Sequence, residues 1–322
     1  MEKLFYELLQ VSVGQLDCLS RGPSTEEWLE LHQLAQRQAV AGVCYKGVER
    51  LFEFGLRAPQ DVSIDWMSEA EEVRMSNEVV DKHCATLQKK LLERKIYNSV
   101  LLGQGVARCY GDELQELRQP NGIDVVLDCN LAKIIKLVQQ TGQATVRHSR
   151  RVVWLDAWKD TEVRMLPQAA YSKNPLRNAK VQRWFRQNKE QLFVKDGDRM
   201  LPSADMNVVY VLQHLHEQFL YGRVDMRLLM DCFFIMKQQG GRFGTYKHNM
   251  TVKKVMSHFG MKAFAGGVMW VMQEVFAMNA EQLPIAPREK EGRFILQQVI
   301  GGRRWWQMLK HNPLQMVWAL RK

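Results

Sequence analysis

The sequence lacks the features that mark secreted, membrane-spanning and repetitive proteins. Its six cysteines are Cys18, Cys44, Cys84, Cys109, Cys129 and Cys232. Because they are scattered without close pairing, we expect reduced thiols and neither disulfides nor a zinc site. No apolar run approaches the roughly 18 residues of a membrane span, and the charged, amphipathic start does not resemble a signal peptide. These absences predict a cytoplasmic protein without a transmembrane segment.

The charge of the chain is unbalanced toward basic residues. It carries 45 Lys and Arg against 35 Asp and Glu, a formal net charge of +10. A basic surface attracts phosphate groups and speeds the encounter with nucleic acids. Nucleic acid is therefore a candidate partner, although many proteins with other partners carry a similar excess.

Hydrophobic periodicity predicts helices over the first part of the chain. Apolar spacing indicates a helix from residue 1 to 13 and a long one from about 64 to 94. Between them, Ser24 followed three residues later by Glu27 is typical of a capping box at the start of a further helix. We expect this region to pack over the rest of the protein as a helical lid or scaffold.

The sequence pattern predicts three regions along the chain. Residues 1–95 form an N-terminal helical region, residues 96–170 an α/β core, and residues 171–322 a C-terminal helical domain. In the core, β-branched pairs at residues 125–126 and 152–153 indicate strands. From about residue 174 onward the apolar residues return to helical spacing, and we expect only helices there. The predicted fold class is α+β.

A glycine-rich turn in the core is the first candidate for ligand binding. The apolar residues 100–102 lead into Gly103, Gln104 and Gly105, where the absent glycine side chains allow backbone amides to approach a phosphate. Asp124 lies in the next predicted strand, and Gly122 stands two residues before it. Glycine turns between a strand and a helix occur in many folds, so this motif alone does not select a function.

A wider set of residues resembles a known family. The matching positions are Gly103, Gly105, Ala107, Tyr110, Arg118, Ile123 and Asp124. They follow the central motif of the bacterial family of uncharacterised nucleotidyltransferases, a branch of the polymerase-beta-like superfamily. Residues 161–164, 174–185 and 211–231 are similar to later parts of the same pattern.

The resemblance implies a small mixed β-sheet that carries magnesium and a nucleoside triphosphate on one face. By this likeness Asp124 and Glu162 are the catalytic carboxylates and metal ligands. Gly103, Gln104 and Gly105 shape the nucleotide-binding turn, and Arg118 helps to neutralise the phosphate charge. The implied reaction transfers a nucleoside monophosphate from the triphosphate to an acceptor that the sequence does not identify.

Three positions depart from the family pattern. Its first strand aspartate falls on Gly122, the lysine before the turn on Leu102, and the histidine of its third acidic strand on Arg164. Two-metal chemistry commonly needs a carboxylate shared between both ions, and a glycine cannot supply it. The carboxylates considered as replacements are Asp112, Glu113, Glu116 and Asp128.

Two function classes are therefore compatible with the sequence, and a third is less favoured. The first is a nucleotidyltransferase of weak activity, and the second is a non-catalytic relative that binds a nucleotide, a sugar intermediate or a protein partner. The third is a helical adaptor, which would have no sheet between residues 96 and 166.

Three constellations outside the central motif also have alternative interpretations. Arg227 and Asp231 stand four residues apart on a predicted helix and suit a structural ion pair, with contact between Arg227 and the triphosphate as the alternative. We expect His214 to make a structural hydrogen bond within the helical domain. The basic, tryptophan-rich residues 303–322 suit a membrane surface, a partner protein or a core helix.

Overall fold

The computed structural model describes residues 1–142 and 145–301. The predictions made for residues 303–322 therefore lie outside the described residues. Within the described ranges, no helix combines the length and the apolar character needed to cross a membrane.

Four helices form the N-terminal part. They are α1 (Glu2–Ser12), α2 (Thr25–Arg37), α3 (Ala41–Glu53) and α4 (Gln60–Glu93). The predicted capping box is confirmed: the Glu27 amide donates to Ser24 Oγ at 3.2 Å, and the Ser24 amide donates to Glu27 Oε2 at 2.9 Å. The helix α3 was not predicted. It packs between α1 and α4, so its formation depends on neighbours distant in sequence.

A four-stranded sheet follows, and it excludes the helical adaptor. Its strands are β1 (Asn98–Leu101), β2 (Ile123–Leu127), β3 (Val153–Leu155) and β4 (Val163–Leu166), with the short helix α5 (Gln104–Ala107) after β1 and α6 (Leu131–Gln139) after β2. The strand order is β1-β2-β4-β3. Strand β2 is antiparallel to β1 and parallel to β4, and β3 is antiparallel to β4. The sheet is therefore mixed and the fold class α+β, as predicted.

The C-terminal part is mostly helical. Its elements are α7 (Pro175–Gln187), β5 (Val194–Asp196), β6 (Arg199–Leu201), α8 (Ala204–Leu220), α9 (Met226–Gln239), α10 (Val252–His258), α11 (Lys262–Phe276) and α12 (Glu289–Ile300). The expectation of helices alone is wrong at β5 and β6, which pair as an antiparallel hairpin. Residues Gly197 and Asp198 form its two-residue turn, and Gly197 adopts the positive φ of +59° that tight hairpin turns favour.

The two faces of the sheet belong to different hydrophobic clusters. Strand alternation places Val125 and Met165 on one face of the sheet, and both belong to a hydrophobic cluster that also contains Leu87 of α4 and Ile134 of α6. Leu101 belongs to the larger cluster on the opposite face, which the C-terminal helices and α1–α3 share. Asp124, paired in register with Leu101, lies on this second face. The sheet thus presents its polar residues to a cleft beneath α8 and α9.

Candidate functional site

An ion pair between neighbouring strands lies at the centre of the site. Asp124 on β2 is in register with Arg164 on β4. The Arg164 Nε donates to Asp124 Oδ1 at 2.5 Å and its Nη2 to Oδ2 at 3.2 Å, while Nη2 also donates to the Asn121 carbonyl at 2.9 Å. Burial raises the pKa of Asp124, and the Arg164 guanidinium opposes that rise. Both oxygens of this carboxylate are therefore engaged by the protein itself.

Glu162, the other predicted metal ligand, lies beside the same guanidinium. It stands two residues before Arg164, so both side chains extend from the same face. The Trp154 indole Nε1 donates to Glu162 Oε1 at 2.8 Å, and Arg164 Nη1 lies 3.7 Å from Glu162 Oε2. The structure thus brings Asp124 and Glu162 together, with a guanidinium between them at the place where a metal cation was expected.

Gly122 leaves no room for the family's first carboxylate. Its φ is +71°, a conformation that other residues adopt only at a cost. A Cβ atom at this position would lie 2.5 Å from the carbonyl oxygen of Glu162. That oxygen accepts the amide hydrogen of Ile123 at 2.8 Å, so it holds β2 and β4 together and cannot withdraw freely.

The four replacement carboxylates do not reach the site. None of them lines the cleft that contains Asp124. Glu113 pairs with Arg50 at 2.7 Å, Glu116 lies 3.5 Å from Arg74, and Asp128 pairs with Lys189 at 2.6 Å. Each of these three lies against a basic side chain elsewhere.

The donor set does not fit a two-metal centre. Across residues 1–142 and 145–301, no three His, Cys, Asp or Glu side chains converge as they would around a metal ion. Of the two carboxylates proposed as metal ligands, Asp124 is held by a bidentate arginine and Glu162 by an indole. Hard divalent cations need several free oxygen ligands, and the site does not offer a shared carboxylate for two of them.

The residues of the predicted nucleotide-binding turn have different environments. Gly103 lines the cleft. Gln104 turns away, is buried, and donates its amide to the Asn77 backbone and side-chain oxygens at 3.2 Å each. Gly105 allows close packing instead, because a Cβ there would lie 2.5 Å from the Val100 carbonyl oxygen. The nucleotide-binding role of these three residues stays a prediction, and Gly103 alone faces the cleft.

Arg118 forms a buried network with Asp231 and Tyr110. Its Nε and Nη2 each donate to an Asp231 carboxylate oxygen at 2.7 Å, and the Tyr110 hydroxyl donates to the same carboxylate at 2.6 Å. Arg118 and Asp231 are only 3% and 1% exposed. Asp231 therefore does not pair with Arg227 as expected, and Arg227 pairs with Asp225 at 3.1 Å. The network joins the core to α9.

The cleft beneath α9 contains a cavity of about 280 Å³ that we call the arginine cavity. Its defining residues are Gly103, Arg118, Asp124, Arg164, Arg223 and Arg227. Three of the arginines have a carboxylate partner, whereas Arg223 forms no ion pair within the described part of the chain. The Nε atom of Arg227 is buried without a hydrogen-bond partner there. The cavity thus has a net positive charge and an unsatisfied guanidinium donor.

His214 on α8 lies above the ion pair and lines the same cavity. Burial, reinforced by the positive charge of Arg164, lowers its pKa to about 4, so the imidazole is neutral at pH 7. The expected structural hydrogen bond is not formed by any described residue, and its ring centroid lies 5.7 Å from that of Tyr210. The sequence analysis did not identify Arg223, Tyr210 and Gln218 as residues of the site. The signal for two of them was the spacing of Tyr210, His214 and Gln218, which follow one another at intervals of four residues.

Comparisons with known proteins give a distant structural similarity and a match to a family. The crystal structure of an antigenic nucleotidyltransferase-like protein from Paracoccidioides brasiliensis aligns with a TM-score of 0.40 and 10% identity, covering 66% of this chain and 96% of that chain. A likeness at this TM-score supports no further step. No curated protein matches the sequence. The model of the family described as uncharacterised nucleotidyltransferase matches residues 24–276, and because this is most of the chain, the protein belongs to that family.

Proposed function

We propose that this protein is a nucleotidyltransferase relative that binds a phosphate-bearing ligand, in the first place a nucleoside triphosphate, without two-metal transfer chemistry. The observation that carries the proposal is the position of Arg164 between Asp124 and Glu162. In that position the guanidinium balances the carboxylate charge that a divalent cation would otherwise balance.

The charge of the arginine cavity supports an anionic ligand. Guanidinium groups bind phosphate oxygens through paired, charge-assisted hydrogen bonds. Arg223 and Arg227 lie on the loop and first turn that lead into α9, and both line the cavity. Arg227 is partly buried and retains an unpaired Nε, so a phosphate oxygen would satisfy a donor that the protein leaves without a partner.

The same geometry argues against efficient catalysis. Nucleotidyl transfer by two metals requires free carboxylates around both ions. Here Gly122 has no space for one, and Asp124 is already bound by Arg164. The alternative, magnesium-dependent transfer to an unidentified acceptor, requires the ion pair to open and the metal to displace the guanidinium.

Thermal denaturation with ATP, CTP, GTP and UTP, each with and without magnesium, tests the proposal. A ligand that binds only the folded protein raises the Tm by mass action. We expect a rise that does not require magnesium, is lost in Arg227→Gln and is kept in Arg186→Gln, a control at an exposed arginine of α7.

Two results would contradict the proposal. A rise that needs magnesium and disappears in Asp124→Ala would support the metal-dependent transferase, and a search for pyrophosphate release would follow. Absence of a rise with every nucleotide would leave a protein-interaction role among the alternatives drawn from the sequence.

A further inference from the structure

A second cavity adjoins the arginine cavity on the other side of the ion pair. We call it the tyrosine cavity, and its volume is about 270 Å³. Its defining residues are Arg151, Tyr171, Tyr210, Gln213, Glu217 and Tyr221. Asp124, Arg164, His214 and Gln218 line both cavities. One ligand can therefore occupy both spaces by passing over the ion pair.

The helix α8 presents a row of unpaired polar side chains to this junction. Tyr210, His214 and Gln218 follow one another at intervals of four residues, which places them on one face of the helix. The side chains of these three residues have no hydrogen-bond partner among the residues that the structure describes. Tyr210 is only 2% exposed. His214 and Gln218 are half-buried, so the row presents unpaired donor and acceptor atoms that a ligand in the two cavities can bind.

The row offers hydrogen bonds without charge. A tyrosine hydroxyl and a glutamine amide can each donate and accept, and a neutral imidazole has one donor and one acceptor nitrogen. His214 is neutral at pH 7 because burial lowers its pKa to about 4. Mixed donors and acceptors of this kind match hydroxyl groups better than they match an anion or a cation.

The aromatic rings of the cavity are already covered in part. The Arg151 guanidinium carbon lies 3.1 Å from the centroid of the Tyr171 ring, and the Tyr210 ring packs against His214. A planar base stacks on free aromatic faces, whereas Arg151 covers a face of Tyr171 and the Arg223 guanidinium carbon lies 5.5 Å from the centroid of the Tyr221 ring. A hydroxylated ring that is held by hydrogen bonds fits the lining better.

We propose that the tyrosine cavity binds the sugar ring of a ligand whose phosphate lies in the arginine cavity. In this arrangement the sugar hydroxyls bond to Tyr210, His214 and Gln218. The inference rests on the proposed function, which supplies the phosphate, and goes beyond it by naming the part of the ligand that sets specificity. The ribose of a nucleotide and the hexose of a sugar phosphate share this chemistry.

Calorimetric titration of the full chain separates the sugar from the phosphate. The probes are inorganic phosphate, ribose 5-phosphate and glucose 1-phosphate, with pyrophosphate and ADP as a second matched set. We expect ribose 5-phosphate or glucose 1-phosphate to bind more tightly than inorganic phosphate. A gain with ribose 5-phosphate identifies the ring as ribose, and a gain with glucose 1-phosphate identifies it as hexose.

Tyr210→Phe removes one hydroxyl and keeps the ring. Loss of one hydrogen bond should weaken the sugar-bearing ligand by about fivefold to tenfold and leave the sugar-free ion unchanged. Gln218→Ala, at a partly exposed position, gives an independent test should Tyr210→Phe fold poorly. Tyr97→Phe is the control, because Tyr97 is 61% exposed and lies outside both cavities.

The outcomes distinguish the inference from the proposed function. Equal weakening of sugar-free and sugar-bearing ligands, or no effect of either α8 variant, would overturn the sugar site while phosphate binding stands. A gain with ADP that ribose 5-phosphate does not show would assign the cavity to the base. Failure of the wild-type protein to bind any of the five probes would refute the phosphate site and the sugar site together.

Discussion

Replacement of Gly122 by alanine tests whether the family's first carboxylate position is closed. The substitution adds only a Cβ atom, which would lie 2.5 Å from the Glu162 carbonyl oxygen. A non-glycine residue in the left-handed region costs about 1–2 kcal/mol, and overpacking costs about 1–3 kcal/mol more. We therefore expect Gly122→Ala to lower the free energy of unfolding by about 2–5 kcal/mol.

A second glycine separates the two contributions. Gly55 has a φ of +84°, and a Cβ there would meet no atom within 4 Å. Gly55→Ala should therefore show the backbone cost alone, about 1–2 kcal/mol. Urea denaturation of the wild type and both variants gives the loss in free energy of unfolding for each substitution. The difference between the two losses is the steric cost of the added Cβ atom at the contact between β2 and β4. If Gly122→Ala loses less than the Gly55 control, the steric argument fails.

Gly122→Asp extends the same reasoning to function. The longer side chain meets the same carbonyl and cannot reach a metal without separating Ile123 from Glu162. We expect this variant to be destabilised at least as much as Gly122→Ala and to gain no magnesium-dependent rise in Tm. A stable variant that binds magnesium would show that the position remains open to a carboxylate.

Three further predictions follow from the ion pairs and from His214. Asp231→Asn leaves the Arg118 charge buried and should lower the free energy of unfolding by about 3–5 kcal/mol, whereas Asp225→Asn, at a more exposed pair, should change it by less than about 1 kcal/mol in urea denaturation. Because the pKa of His214 is lowered to about 4 in the folded protein, the unfolded chain binds the proton first as the pH falls. The stability that the neutral His214 contributes is therefore present above pH 6.5 and lost toward pH 4, which lowers the free energy of unfolding by at most about 3 kcal/mol. Unfolding curves of His214→Gln should accordingly depend less on pH across that range, and an unchanged dependence would contradict the assignment. Arg164→Ala frees the Asp124 carboxylate and removes the guanidinium beside Glu162, which keeps its hydrogen bond to Trp154. Magnesium should therefore raise the Tm of this variant and not that of the wild type, and no rise in the variant would mean that the guanidinium does not take the place of a cation.

Local signals in the sequence were sufficient for part of the fold. The capping box at Ser24 and Glu27 depends on residues three apart, and the placement of Glu162 and Arg164 on one face depends only on strand alternation. The hairpin at β5 and β6 was overlooked, although its glycine turn is a local signal.

The partners of charged groups could not be predicted in the same way. Arg118 and Asp231 are 113 residues apart in sequence, and only the packing of α9 against the core decides that Asp231 pairs with Arg118 and not with Arg227. The ion pair of Asp124 with Arg164 likewise required the parallel register of β2 and β4. These tertiary ion pairs determine which arginines remain free to bind a ligand.

The long helix α4 limits where the protein can be truncated. It spans 34 residues, about 50 Å at 1.5 Å per residue. Its first half contributes Val62 and Trp66 to the larger hydrophobic cluster, and its second half contributes Leu87 and Leu91 to the cluster behind the sheet. A fragment that begins at residue 96 would lose the cover of one face of its sheet and expose an apolar surface. A truncated version for crystallisation or binding assays therefore needs to retain the whole of α4, since this helix contributes buried residues to both hydrophobic clusters.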